Sequence, residues 1–311
     1  MLAANPQRPV FGGWLNQDAA EARKQFIART PRPFLSDYGH AIKGDGQNKQ
    51  ISLIKPYEQV TKKKFTPFYQ EIGDCCGEAG TLGAQVLSTT QIALHKKNEE
   101  WKGEFSVEFT YAASRVEVGG GRIRRGDGST GAWTAQALQK IGLLLRGRYG
   151  QYDLTKYRPD LGREWGRSGV GVPDELEKIA KERIVKTVAL VTSWEEACDC
   201  IANGFPVLLC SSVGYDLQPD QDGFLLHRGV IWYHAMLLVG IDTVSRRQGG
   251  LIVNSWGPNW YYEGPVHRLG TPAGCFWADA VNIELAIREG DSYALSNFVG
   301  FPRRNLDYLL Y

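Results

Sequence analysis

Gln70, Cys76, His234 and Asn254 have the types and the order that thiol chemistry on a carbonyl requires. A cysteine attacks only as thiolate, and an ordinary pKa of about 8.5 leaves few thiolates at neutral pH unless an imidazolium or a helix N-terminus stabilises the anion. Cys76 is placed for both. It opens a stretch in which Ala79, Leu82, Gly83, Val86, Thr90, Ala93 and Leu94 recur at helical spacing, so a long helix with a small apolar face is expected there. His234, just before the apolar run to Ile241, would take the thiol proton and return it to a leaving amine. Asn254 would orient the far ring nitrogen without adding a competing charge. Gln70 would donate its amide to a developing oxyanion beside the backbone N–H of Cys76, a donor worth about 3 kcal/mol of barrier.

Each residue alone has a plainer reading: a cysteine in an apolar helix is usually packing, and a histidine before a strand is usually a satisfied core residue. The case rests on the set. Gln70-x5-Cys76, His234-Ala235-Met236 and Asn254-Ser255-Trp256-Gly257-Pro258-Asn259-Trp260, in that order, resemble the papain family over roughly residues 55 to 290. The resemblance implies an α+β, two-lobed fold with a helical N-terminal lobe, an antiparallel β-rich C-terminal lobe and the active site in the cleft between them. It implies a cysteine endopeptidase working through a thioester, with Trp256 shielding the His234–Asn254 contact and no metal or cofactor. A peptide substrate would lie along the glycine-rich stretch Gly126 to Gly131, with Gly128, Trp256 and Tyr233 as binding residues. Related chemistry on cell-wall peptides, or a binding module that keeps the fold without catalysis, are the alternatives.

The family's interval of six from Gln70 selects Cys76 over its neighbour Cys75, and the following strand selects His234 over His227. Gly77 and Gly73 stand where the family has an aromatic residue and a cysteine, so the family disulfide has no partner there. Asp74 and Glu78 flank the thiol and would oppose its ionisation unless they face solvent or cap the helix.

Other elements follow from local signals. Ser106 should start a second helix, Trp133 to Ile141 form a third, and Ser193 with Glu196 make a capping box. Ile231 to Ile241 and Leu251 to Val253 read as neighbouring strands joined by a polar loop. The expected organisation is an N-terminal extension over 1–50, a catalytic domain over 51–290 (helical lobe about 70–190, β lobe about 191–290) and a C-terminal tail over 291–311. The extension contains Pro6, Pro9, Pro31 and Pro33 and lacks the regular helical motif of the family's inhibitory prosegments. It is read as a retained docking or packing arm, with Phe11, Trp14, Phe26 and Phe34 as anchors for a protein partner.

Net charge of +2, from 36 basic and 34 acidic residues, gives no field that would steer nucleic acid onto the molecule. No apolar run approaches the roughly 20 residues that span a bilayer, and no leader pattern is visible, so a cytoplasmic location or a place within an assembly is expected. The six cysteines do not form a disulfide or zinc pattern; Cys198, Cys200, Cys210 and Cys275 read as buried free thiols.

Overall fold

A computed structural model describes residues 12–95, 100–124, 126–260, 271–304 and 306. In chain order, helix α1 (Asn16–Arg29) is followed by strand β1 (Gln50–Ser52) and helix α2 (Ile54–Thr61). The helical lobe comprises α3 (Cys75–His95), α4 (Val107–Ala113), α5 (Gly131–Lys140), α6 (Pro159–Trp165) and α7 (Asp174–Ala180), with a small hairpin of β2 (Arg148–Tyr149) and β3 (Tyr152–Asp153). The strand-rich lobe contains β4 (Thr187–Leu190), α8 (Trp194–Ala202), β5 (Val207–Val213), β6 (Phe224–Leu225), β7 (Ile231–Asp242), β8 (Gly249–Val253), β9 (Cys275–Asp279), α9 (Ala280–Arg288) and β10 (Tyr293–Ser296).

The helix starts follow the capping chemistry. Ser106, Thr130 and Ser193 hydroxyls accept from the N–H groups of Phe109, Trp133 and Glu196 at 3.1–3.3 Å, each cap being worth about 1 kcal/mol. The sheet runs β4-β10-β5-β7-β8-β9-β6 with β1 added to β7, antiparallel at every junction except β6 with β9. Strand β7 alternates exposed and buried residues at its cleft end and is buried on both faces from His234 onward, as a strand covered by helices should be. Helix α3 lies between the lobes, against α2, α4 and α5 on one side and β7 and β5 on the other. A Cβ at Gly83 would come within 2.7 Å of Leu295, so that small residue sets how closely the helix approaches the sheet.

The outer boundaries differ from expectation. The presumed tail supplies β10, which inserts between β4 and β5, and Tyr293 within it is fully buried. The presumed extension is equally part of the fold: Phe26 of α1 is fully buried and packs edge-on against Tyr293 at 5.0 Å, a burial worth about 1.5–3 kcal/mol. Both segments look peripheral in sequence because their partners are far along the chain: β10 pairs with β4 and β5, and Phe26 meets Tyr293.

Candidate active site

His234 and Asn254 meet because β7 and β8 are antiparallel neighbours in a register that pairs Leu237 with Val253. Asn254, just past β8, then reaches back to the imidazole, with Oδ1 at 2.8 Å from Nε2. The amide orientation is determined by its surroundings, since Oδ1 also accepts the backbone N–H of Ser255 at 2.7 Å. An acceptor there requires Nε2 to carry its proton, which leaves Nδ1 as the ring's free acceptor. Trp256 covers the pair, its ring 5.0 Å from the imidazole at 33°. Next to it, the Ser255 hydroxyl donates to Gln70 Oε1, which turns the Gln70 Nε2 group outward to Ile72 O at 2.9 Å and Gly12 O at 3.4 Å. Gln70 is 1% exposed, so it is buried beside Ser255 and is not a surface residue.

The thiol that faces the imidazole belongs to Cys75, not Cys76. His234 is the group that lowers the Cys75 pKa against its burial, and His234 Nδ1 is buried with no hydrogen-bond partner among the described residues. Cys76 Sγ lies 3.5 Å from Ser129 O and 3.9 Å from Gly13 O, beside the Cys210 thiol. His234 therefore acts on the thiol one residue before the one expected. Helix α3 begins at Cys75, which places this residue's N–H among the unpaired donors of the first turn and its sulfur in the favourable field of the helix dipole. The interval from Gln70 is one shorter than counted, and Gly73 stands two residues before the thiol, where its own Cβ would meet Asp127 at 2.8 Å. An aromatic side chain has no room at Gly77, since a Cβ there would approach Tyr111 to 2.8 Å. His227 is elsewhere, with Nδ1 2.8 Å from Gly214 O.

The N-terminal segment closes the cleft. Gly13 O accepts from Ser129 N (2.8 Å), Leu15 N donates to Ser129 O (2.9 Å) and Trp14 N donates to Tyr233 O (3.0 Å), so the arm runs as a short parallel strand between the two cleft walls. A Cβ at Gly13 would lie 2.9 Å from Cys75 Sγ and 2.6 Å from Gly73 O. Burial under this strand pushes the Cys75 thiol well above its ordinary pKa, with the Cys76 thiol adding to the rise and His234 working against it. Of the proposed partner anchors, Trp14 and Phe26 are buried in the chain's own fold, Phe34 packs half-buried against the core, and Phe11 lies outside the described residues.

Of the expected substrate contacts, Gly128 faces the arm, where a Cβ would meet Gly13 O at 2.7 Å, and Tyr233 touches it through its carbonyl and ring. Sequence reading missed Ser129, which makes the backbone pairs, and Arg115, which holds the loop by donating to the carbonyls of Gly126, Gly128 and Gly166. The glycine-rich composition marked the loop, but nothing local marked the arginine. A groove of about 690 Å³ lies away from this site, between the Leu35–Asn48 segment and α8.

Asp74 and Glu78 neither face solvent nor stand free beside the thiol. Both are buried at the start of α3, Asp74 just before it and Glu78 in its first turn, and desolvation pushes Asp74 up to about 7 despite the phenol of Tyr157 at 2.6 Å. Glu78 is also raised by burial and by Asp74. A carboxyl raised in this way opposes the thiolate less than an ordinary one, because more of it is protonated. The sign for stability follows: between the unfolded value near 3.8 and about 7, the folded state binds more protons than the unfolded one, so stability falls as pH rises through that window. Thermal unfolding scans from pH 4 to 8 are expected to show a declining Tm that Asp74→Asn flattens; an unchanged slope in that variant contradicts the assignment.

No protein-family model matches the chain, and no curated protein matches it. Solved structures do. The fold is similar to that of xylellain, a cysteine protease from Xylella fastidiosa, with TM-score 0.55 and 18% identity over 81% of this chain and 87% of that one. It is similar to the ragweed pollen cysteine protease Amb a 11 in its proform, with TM-score 0.51 and 13% identity over 92% and 74% of the two chains. Digestive procathepsin L2 from Tenebrio molitor gives 0.50 and 13% over 79% and 67%. At these identities the likeness establishes the fold.

Proposed function

We propose, from the papain-like two-lobed fold that this chain adopts, that it is a cysteine peptidase held closed by its own N-terminal arm. The observation that carries the reading is the arm itself: a peptide strand bound by backbone hydrogen bonds to Ser129 and Tyr233, with a carbonyl oxygen facing Gln70 Nε2 and its chain against the Cys75 thiol. A cleft that holds one extended peptide in this way is shaped to hold another.

With the arm displaced, His234 Nδ1 takes the Cys75 proton and the sulfur adds to the substrate carbonyl carbon. The oxyanion is met by Gln70 Nε2 and the Cys75 backbone N–H. The C–N bond breaks as the imidazolium protonates the amine, leaving a thioester; water then adds with His234 as base, and the carboxylic acid and free thiol are released. Asn254 keeps the ring in the tautomer that each step needs.

A peptidyl epoxide or vinyl sulfone, followed by peptide mapping, tests this. The adduct is expected on Cys75 and is expected to be lost in His234→Ala. An adduct on Cys76 would sink the assignment, as would labelling indifferent to His234.

A further inference from the structure

Arg115 is a buried cation whose charge is not balanced within the fold. It stands two residues past α4 and is 5% exposed. Its guanidinium donates to Gly166 O at 2.9 Å, to Gly126 O at 3.0 Å and to Gly128 O. These carbonyls satisfy its N–H groups but carry no charge, and no carboxylate among the described residues forms an ion pair with it. The one acid beside it, Asp127, is engaged by the Tyr111 phenol and by Arg163 at 3.8 Å. A buried charge is costly unless it is opposed, so what Arg115 faces matters.

It faces a cavity of about 390 Å³. The glycine-rich loop separates that cavity from the arm: a Cβ on Gly128 would meet Gly13 O and the Leu15 side chain, whereas Gly128 N donates to the Tyr111 hydroxyl at 3.1 Å and its carbonyl accepts from Arg115. Tyr111 and Arg115 line the cavity, and three more arginines join them, Arg124 from the loop, Arg163 from α6 and Arg167 from the turn after it. Asp127 is the only acid in the lining. Arg124 and Arg167 are exposed, and their side chains make no hydrogen bond or ion pair with any described residue. The partial negative charge at the end of α6 favours Arg163 and Arg167 by itself, but it accounts for neither Arg115 nor Arg124.

We propose that this cavity is an anion site for a small ligand of the diphosphate class. Guanidinium groups arriving from three segments match an anion whose oxygens point in several directions; a lone carboxylate is saturated by one arginine fork. The volume lies in the range of small-ligand sites and exceeds what a single phosphate fills. A bound diphosphate supplies the negative charge that Arg115 lacks and draws in the two unpaired arginines at the rim.

Titration calorimetry of the full chain with inorganic pyrophosphate, inorganic phosphate and citrate tests this. Pyrophosphate is expected to bind saturably, and about tenfold or more tighter than phosphate, which reaches fewer of the guanidiniums. Combining Arg124→Ala with Arg167→Ala, both at exposed positions, is expected to weaken pyrophosphate binding about tenfold or more with circular dichroism unchanged. Combining Lys62→Ala with Lys64→Ala removes the same charge outside the cavity and is expected to leave binding unchanged. Equal losses in the two double variants reduce the effect to net charge and overturn the proposal, as does pyrophosphate binding that does not saturate at millimolar concentration. Citrate or phosphate binding as tightly as pyrophosphate overturns the diphosphate class. None of these readouts depends on peptide hydrolysis, so the anion site and the peptidase reading stand or fall separately.

Discussion

Cys75→Ser is expected to lower peptide hydrolysis by at least 10³-fold, whereas Cys76→Ser should change it no more than severalfold. Removing a nucleophile from a concerted triad costs on the order of 10³–10⁶ in kcat, since the remaining groups have nothing to activate. Cys76 has no assigned step in the reaction: its sulfur lies 3.5 Å from Ser129 O and 3.9 Å from Gly13 O, beside Cys210, and a serine hydroxyl in that place can donate to the same carbonyls. The comparison is best made in a chain whose arm is lifted, with steady-state rates on a fluorogenic peptide and circular dichroism to confirm folding. Loss of activity in Cys76→Ser with retention in Cys75→Ser would restore the register counted from Gln70 and refute the pairing with His234.

That register shows what could be read from residues alone. Helix α3, strands β7 and β8 and the caps at Ser106 and Ser193 were legible because each is a local pattern. The His234–Asn254 pair was legible because two neighbouring strands bring it together with little freedom. The count from Gln70 and the proposed assignment to Cys75 differ by one because the count assumes a loop length, which the proposal makes one residue shorter. On a helix a slip of one residue turns a side chain by about 100°, enough to move it from the imidazole to the opposite wall. The better signal was Gly73, which packs on the Asp127–Gly128 loop and fixes the turn two residues before Cys75.

The arm's place in the cleft was hidden for a different reason. Its prolines and lack of a helical motif argued against an inhibitor, yet the inhibition proposed above needs only four residues, Gly12 to Leu15. Their partners Ser129, Tyr233 and Asp291 are separated from them by more than 100 residues. No local periodicity marks a strand that pairs with loops. Asp291 was hidden in the same way: assigned to a tail, it stands at the N-terminus of α5 and holds the tryptophan that anchors the arm.

Gly13→Val in the full chain is expected to raise both peptide hydrolysis and thiol labelling at Cys75 by 10- to 100-fold. The arm is held near the thiol by three backbone hydrogen bonds and by the Trp14–Asp291 contact, each worth roughly 1 kcal/mol net, together with the burial of one indole. At Gly13 a side chain meets Gly73 O at 2.6 Å and the Gly73 carbonyl carbon at 2.9 Å, backbone atoms that cannot swing aside, and the φ of +127° is itself unfavourable for an L-residue. Strain of about 1–3 kcal/mol from the backbone alone corresponds to roughly 5- to 150-fold in the open population, before the clash is added. Lifting the strand also readmits water to the thiol, which removes the burial that raises its pKa and leaves the lowering by His234 in force. Gly12→Ala separates displacement from general loosening. Its φ of +93° is similarly strained, but its Cβ meets only the Trp232 and Tyr233 carbonyl oxygens at 3.7 Å, an ordinary contact. A rise in Gly13→Val well beyond that in Gly12→Ala identifies the contact over Cys75 as the element that closes the site. Equal rates in the parent and both variants, with Cys75 already fully reactive in the parent, would show that the arm lies over the nucleophile without restraining it.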